Sequence, residues 1–437
     1  MDSGYRGKAL DLLKAHGLQV GDRVQVEKEG EKFVGVLMPR SELEDDRHIV
    51  IKLDDGYNLG LSTESLSVTK LQQEEARPKA SAPREVDRPD LPKVSIISTG
   101  GTIASRVDYK TGAVSPALTA SDLYQSAPEL GEVASIRTEI LLSLLSENIE
   151  PANWSSMAKA VAAHVKDGAH GIVITHGTDT MGYTAAALSF ALRNLPVPVV
   201  LVGSQRSSDR PSSDASLNLK GAVQVAASAP FAEVCVLMHG GSSDEALLIH
   251  RGTRVRKFHT SRRDAFRSMN ARPIAELRGG EIAVLGDVRG RGGSLELKPT
   301  FDEDVVLIKS FPGIPGDLFD PIIHRGFHGI VLEGTGLGHI PNSLFSQVKR
   351  ATEAGMIVVM TSQCIQGRVN MKVYSTGREL LKLGVIPAED MLPETALVKL
   401  MWVLGQTTDP KKIREMFLQN IAGEVSPRSE YSEDREE

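Results

Sequence analysis

The chain has 437 residues and a formal net charge of −6, with 41% hydrophobic and 24% charged residues, an ordinary globular composition with ample core. The acidic balance argues against bulk nucleic-acid binding, no apolar run reaches the length of a membrane span, and a charged N-terminus without a secretory apolar stretch predicts a cytoplasmic protein. The two cysteines, Cys235 and Cys364, offer neither a disulfide framework nor a metal-ligand spacing. Both fall in or just after apolar runs and are expected to be buried.

Residues 4–16 predict a short helix closed by Gly17. GDRVQVEKEG, KFVGVLMPR, HIVIKLDDGYNLG and LSVTKL follow, short and partly alternating runs split by Gly and Asp turns. That pattern predicts a small SH3-like β-barrel domain over residues 1–71, with a docking or supporting role and no chemistry of its own. Residues 72–92 are rich in Pro, Ala and charge and predict an extended linker.

From Val94 the pattern turns to strand, helix, strand, helix. The strands VSIIS, GIVIT, VPVVLVG and VCVLM alternate with helical runs near 154–166, 184–194 and 216–227. This predicts an α/β domain over 93–290, a mostly parallel sheet with helices on both faces. The Gly- and Arg-rich GDVRGRGGSLEL reads as a loop or hairpin leading into a linker over 291–303. A second α/β domain is expected over 304–422, with strands VVLIK, HGIVLEG and MIVVMTS and helices near 343–354 and 395–405. Residues 423–437 read as a mobile acidic tail.

Two strands of the first α/β domain end alike. Residues 94–97 run into Ser98-Thr99-Gly100-Gly101-Thr102-Ile103-Ala104, and residues 171–174 into His176-Gly177-Thr178-Asp179-Thr180 and a helix with Ala185, Ala186, Leu188, Ala191 and Leu192 on one face. Open α/β sheets place ligands at the carboxyl ends of their strands. Glycine admits close backbone approach, and a threonine hydroxyl becomes a nucleophile only beside a base. The plainer use of Asp179 or Thr180 is to cap the helix that follows.

The pair of turns resembles the asparaginase–glutaminase family, whose two threonine signatures read like TGGTIA and HGTDT, in this order and at similar separation. The resemblance covers roughly residues 92–422 and implies an asparaginase-like two-domain α/β body that hydrolyses a side-chain amide. It implies Thr102 as the nucleophile, Thr178 as the second catalytic threonine, Asp179 as its acidic neighbour and a lysine to complete the group. Lys257, in VRKFHT, sits where the family's lysine lies, crowded by Arg254, Arg256, Arg262 and Arg263. A lysine takes a threonine proton only if burial or nearby positive charge lowers its pKa; Asp179 opposes that shift and orients the group. Which threonine attacks first stays open.

For substrate binding the resemblance implies Ser146 and Glu147 of LLSEN, ahead of Trp154, for the α-carboxylate and α-amine, Asp179 also for the amine, and Tyr109 as the tyrosine of a lid. The family completes each site with an acid from a neighbouring subunit. The matching stretch here, GRVNMKVY at 367–374, contains no acid, which leaves the preference between asparagine and glutamine open. No metal is implied. GTGLG at 334–338 has the wrong spacing for a dinucleotide fingerprint, and no GxxxxGK[ST] loop for ATP exists. The basic clusters at 251–257 and 262–267 read as solvated or salt-bridged surface in preference to tRNA contacts.

A small barrel and a charged linker ahead of an asparaginase-like body, together with GSQRSSDRPSSDASLNLKGAV and GLGHIPNSLF, are similar to the archaeal glutamyl-tRNA(Gln) amidotransferase branch of the family. That branch implies a chain that hydrolyses glutamine or asparagine and passes ammonia to a partner, the E subunit of the amidotransferase. The partner uses ATP and Mg²⁺ to convert Glu-tRNA(Gln) to Gln-tRNA(Gln), so this chain needs no cofactor. A homodimer within an α2β2 heterotetramer is expected, with weak hydrolysis by the isolated chain. The competing readings are a free-standing cytoplasmic L-asparaginase and a binding module on an inactive amidase fold. The second requires loss of the threonines or the lysine, and all are retained.

Overall fold

The computed structural model describes residues 4–40, 45–53, 58–71, 90–101, 105–107, 114–116, 130–206 and 213–428. Thr102, Tyr109 and nearly all of the expected linker lie outside the described residues.

The first unit pairs the helix Gly7–Ala15 with a five-stranded antiparallel sheet. Its spatial order is Asn58–Ser62, His48–Leu53, Glu31–Leu37, Arg23–Lys28, Leu66–Lys70. Alternation places Val24, Val26, Ile49 and Ile51 on one face, where Ala9 and Leu13 of the helix complete a small core.

The body is organised by an eight-stranded sheet in the order Glu281–Val284, Ala275–Arg278, Ala246–Arg251, Val234–His239, Val199–Val202, Gly171–Thr175, Lys93–Gly100, Ser135–Leu144. The last five are parallel and the first three add on antiparallel. The expected parallel sheet is thus its central part. The two outer strands, Ala275–Arg278 and Glu281–Val284, are four residues each and the second is largely exposed, so they lack the apolar runs that mark buried parallel strands. Ser135–Leu144 is missed because, as an edge strand, it carries Arg137, Thr138 and Glu139, which break the apolar run between Ile136 and Ile140. The segment expected to be a loop or hairpin follows the hairpin of Ala275–Arg278 and Glu281–Val284 and ends at Glu296–Leu297, which pairs with Leu192–Arg193.

From Lys93–Gly100 the chain moves to Ser135–Leu144 on one side, then returns to Gly171–Thr175 on the other. The strand order reverses between the two strands that end in the Gly-Thr turns. At such a point successive crossovers diverge and leave a crevice beside the carboxyl ends.

A second sheet of four parallel strands lies in chain order: Val305–Lys309, Gly329–Gly334, Ile357–Ser362, Ile386–Pro387. The helix Met181–Ala191 is sandwiched between the two units. Met181, Ala185 and Leu188 pack into the core of the large sheet, and Ala186, Ala187 and Phe190 into the core shared with the second unit. Phe190 stacks on Trp402 of the helix Pro393–Leu404 at 5.9 Å between centroids. The expected single apolar face is therefore corrected to a helix buried nearly all round.

Two further expectations are corrected. Cys235 is buried, and burial pushes its thiol well above the ordinary range, whereas Cys364 is exposed. The tail is not free from residue 423. Glu424 is fully buried and meets the fully buried Lys399 at 2.6 Å, and Ser426 accepts from Arg254 and donates its N–H to Asp390. A buried carboxylate needs a cation and N–H donors, and here Lys399, Ile421 and Ala422 supply them. No helix among the described residues is long and apolar enough to cross a membrane.

Candidate active site

The crevice is built from glycines that let three backbones meet. Gly100 and Gly101 end the first turn at φ +110° and +83°. A Cβ at Gly100 would lie 2.2 Å from the Leu144 carbonyl oxygen, and one at Gly101 would lie 2.7 Å from the Gly177 nitrogen. A Cβ at Gly177 would in turn lie 2.7 Å from Ser146 Cβ. The two signatures and the end of the edge strand therefore touch through positions where only glycine fits. Thr99 ties the strands further, donating from Oγ1 to the Thr175 carbonyl at 2.8 Å.

Lys257 lies on the short strand Val255–Lys257. Alternation turns Val255 into the core and Arg256 the other way, to Glu394 at 3.2 Å. Lys257 shares the face of Val255 and reaches the second signature, 79 residues away in the chain. Its Nζ donates to Thr178 Oγ1 at 2.9 Å and to Asp179 Oδ1 at 2.8 Å. The lysine side chain is mostly buried and that of Asp179 is exposed. The neighbouring arginines are engaged elsewhere: Arg254 with Asp390, Arg262 with Asp264 and Arg263 with Asp244.

The capping role weighed for Asp179 and Thr180 does not occur. Thr180 is the N-cap of Met181–Ala191 but makes no side-chain capping bond; its Oγ1 donates to the Ser146 carbonyl at 2.6 Å. Ser146 is buried against Gly177, and Glu147 beside it is exposed.

Sequence patterns alone assign no role to His176, His164, Thr184 or Trp154. His176 is fully buried. Its Nδ1 donates to the Gly177 carbonyl at 2.6 Å, and its Nε2 accepts from Thr184 Oγ1 at 2.8 Å. Thr184 can donate there because its own oxygen accepts from Trp154 Nε1 at 3.2 Å. These partners fix a neutral ring, and burial lowers its pKa to about 4. His176 thus braces the turn that holds Thr178; its place in the HGTDT signature was the available signal. His164 is different: it sits away from the turn, against Glu139 at 2.6 Å.

The arrangement provides a hydroxyl within reach of an amine and a carboxylate, in a crevice opened by glycines. An ammonium at this position stabilises an alkoxide, and a neutral amine would remove the hydroxyl proton. Among the described residues one group offers three potential metal ligands, Asp302, Asp304 and His328, with donor atoms within 4.8 Å of one another. Asp302 already accepts from His328 and from the Asp304 N–H, and two of the three residues are exposed, so these bonds account for the grouping.

Three family models match the chain: "Asparaginase, N-terminal" over residues 93–289, "Glutaminase/Asparaginase C-terminal domain" over 304–417 and "GatD N-terminal domain" over 18–71. The D subunit of the glutamyl-tRNA(Gln) amidotransferase of Methanothermobacter thermautotrophicus is 51% identical over 429 residues, 97% of this chain and 98% of that protein. The D subunit from Pyrococcus furiosus is also 51% identical, over 95% of this chain and 97% of its own length. The chain belongs to the family of glutamyl-tRNA(Gln) amidotransferase D subunits. Among solved structures, the thermostable L-asparaginase of Thermococcus kodakarensis superposes with a TM-score of 0.69 at 40% identity, covering 76% of this chain and 99% of the asparaginase. L-asparaginase I of Vibrio cholerae gives 0.67 at 33% identity, covering 77% and 99%. The D-subunit family thus carries an asparaginase-type body, and the chain has about a quarter of its length beyond what these asparaginases match.

Proposed function

We propose that the chain is the glutamine-hydrolysing, ammonia-producing component of a tRNA-dependent amidotransferase that converts Glu-tRNA(Gln) to Gln-tRNA(Gln). The observation that carries this reading is Lys257 Nζ at 2.9 Å from Thr178 Oγ1 and 2.8 Å from Asp179, beside Ser146 and the glycines of the first signature. The near full-length match to D-subunit relatives and the N-terminal match over 18–71 favour it over a free-standing asparaginase.

In the proposed scheme Thr102 attacks the carboxamide carbon of glutamine or asparagine. Its hydroxyl proton passes to the departing nitrogen, ammonia leaves, and an acyl-enzyme remains. The Thr178–Lys257–Asp179 group then takes a proton from the water that attacks this ester and passes it to the Thr102 oxygen as the C–O bond breaks, restoring the hydroxyl. Backbone N–H groups of the Gly-rich turns steady the oxyanion in both steps. Ser146 and Glu147 hold the α-carboxylate and α-amine, Glu147 matching an ammonium by charge, and Tyr109 closes over the substrate.

The reading assigns no cofactor to this chain and places ATP and Mg²⁺ in its partner, the E subunit. The N-terminal unit at 1–71, the linker 72–92 and the two body domains at 93–290 and 304–422 divide the work into docking and hydrolysis. A homodimer within an α2β2 assembly in the cytoplasm completes the proposal. Ammonia released into water would be protonated and lost, so hydrolysis by the isolated chain is expected to be weak.

The test is hydrolysis of glutamine and of asparagine by the purified chain, alone and with the E subunit, ATP, Mg²⁺ and Glu-tRNA(Gln). Low activity that rises only with the full set supports the proposal. Brisk asparagine hydrolysis indifferent to the other components would make the chain a free L-asparaginase.

A further inference from the structure

We propose that His239 is a positioning residue for amide hydrolysis, a buried imidazolium that ties the turn supporting Thr178 to the loop that follows Lys257. The proposal rests on the amidase reading of the crevice. His239 ends the strand Val234–His239 and is wholly buried.

The hydrogen-bond network determines the protons on the ring. Nδ1 lies 2.7 Å from Asn218 Oδ1, and Nε2 lies 3.1 Å from Asp244 Oδ1. The Asn218 amide has only one satisfactory orientation. Its Nδ2 faces the Gly203 carbonyl at 2.9 Å and Asp214 Oδ2 at 3.0 Å, both acceptors, so its Oδ1 must face the histidine. Asp244 is a carboxylate as well: the hydrogen bond from His239 and the charge of Arg263 hold it below the usual range. Both ring nitrogens therefore meet acceptors, and both bonds form only when each nitrogen carries a hydrogen. The charged groups around this network are the Asp214 and Asp244 carboxylates and the Arg263 guanidinium.

Each bond leads to one side of the Lys257–Thr178 pair. Through Asn218 the ring holds the peptide of Gly203, where a Cβ would lie 2.9 Å from Thr178 Cγ2 and 2.7 Å from the His176 carbonyl oxygen. Asp214 fixes the same turn by accepting from the Gln205 and Arg206 N–H groups. Through Asp244 the ring holds Arg263, which also donates to the Ser242 carbonyl. Arg263 lies in the turn between Val255–Lys257 and Phe266–Ser268, closed by the Phe258 N–H on the Ala265 carbonyl at 2.6 Å. Loss of one ring proton sets a lone pair against an acceptor and releases one of the two arms. Displacements well under 1 Å suffice to slow a reaction whose groups must be aligned.

Two measurements on the full chain test this. Long-range ¹H–¹⁵N NMR of histidine-labelled protein at neutral pH should find two N–H groups on the His239 ring; a single protonated nitrogen overturns the imidazolium. Steady-state hydrolysis of glutamine and asparagine should show H239L lowering kcat about tenfold or more with KM within about threefold, the pattern of lost alignment. D244A changes an exposed side chain and spares the core, so it serves even if H239L does not fold; it should lower kcat about threefold or more. Wild-type kcat in D244A overturns the proposal. A wild-type chain that hydrolyses neither amide even with the E subunit, ATP, Mg²⁺ and Glu-tRNA(Gln) would instead overturn the amidase reading, and the NMR result would still decide the state of the ring.

Discussion

Thr178, Asp179 and Lys257 differ in what their removal should cost. K257M keeps the length of the side chain and takes away the cation that contacts both Thr178 and Asp179. T178V keeps the shape and takes away the hydroxyl. Each should lower amide hydrolysis by about 10²–10⁴-fold, the usual contribution of a positioned acid–base group, with little change in melting temperature. An unchanged rate in either variant removes that residue from the mechanism. His176 and His250 lead to a prediction about pH. Burial lowers both to about 4 from the ordinary value of 6.5. As pH falls below 6.5 the unfolded chain binds protons that the native rings refuse, so stability present above 6.5 is lost as pH approaches 4. At about 1.4 kcal/mol per pKa unit, each ring contributes on the order of 3 kcal/mol to this loss. The urea midpoint should fall between pH 7 and pH 4.5, and H250F should flatten the fall; a midpoint independent of pH over this range contradicts the assignment.

The elements around the crevice are held at close range. Gly171 begins a central strand directly beneath the helix Ala215–Ser228, and a Cβ there would lie 2.0 Å from the Ala226 carbonyl oxygen. The obstacle is helix backbone, which cannot swing aside as a side chain would. G171A should therefore destabilise the protein by about 1–3 kcal/mol or more, read as a lower melting temperature, and should loosen the strand that delivers Thr178. Helix Met181–Ala191 couples the same turn to the second unit, because its two faces belong to two cores.

Across the whole molecule, the segment at 421–427 fastens the two α/β units together. The Ile421 carbonyl accepts from Arg193 and Arg289, and the Ala422 carbonyl from Thr253, all in the first unit. Glu424 pairs with Lys399, and the Ser426 N–H bonds to Asp390, both in the second. Removing one member of the buried pair strands the other charge. K399M should cost about 3–5 kcal/mol, whereas replacing both residues by apolar ones, K399M with E424L, should come much closer to neutral. Denaturant melts of the two variants decide this: equal losses would mean that side-chain packing, and not the unpaired charge, sets the cost.

The sequence by itself determined the α/β class, most parallel strands of both sheets and the two Gly-Thr turns. These depend on local chemistry, since a buried parallel strand must be an apolar run and a turn approached by other backbones must contain glycine. The tertiary structure alone decided what meets at those turns. Lys257 was already named by the family resemblance, but its contacts with Thr178 and Asp179, opposite the face from which Arg256 meets Glu394, follow from Val255 packing into the core. The edge strand Ser135–Leu144 was hidden by its polar residues, and the buried anchorage of Glu424 by its place in an acidic C-terminal stretch. A charge declares itself solvated in sequence unless a partner far along the chain is known. Such partners are brought near only when the helices and sheets have packed.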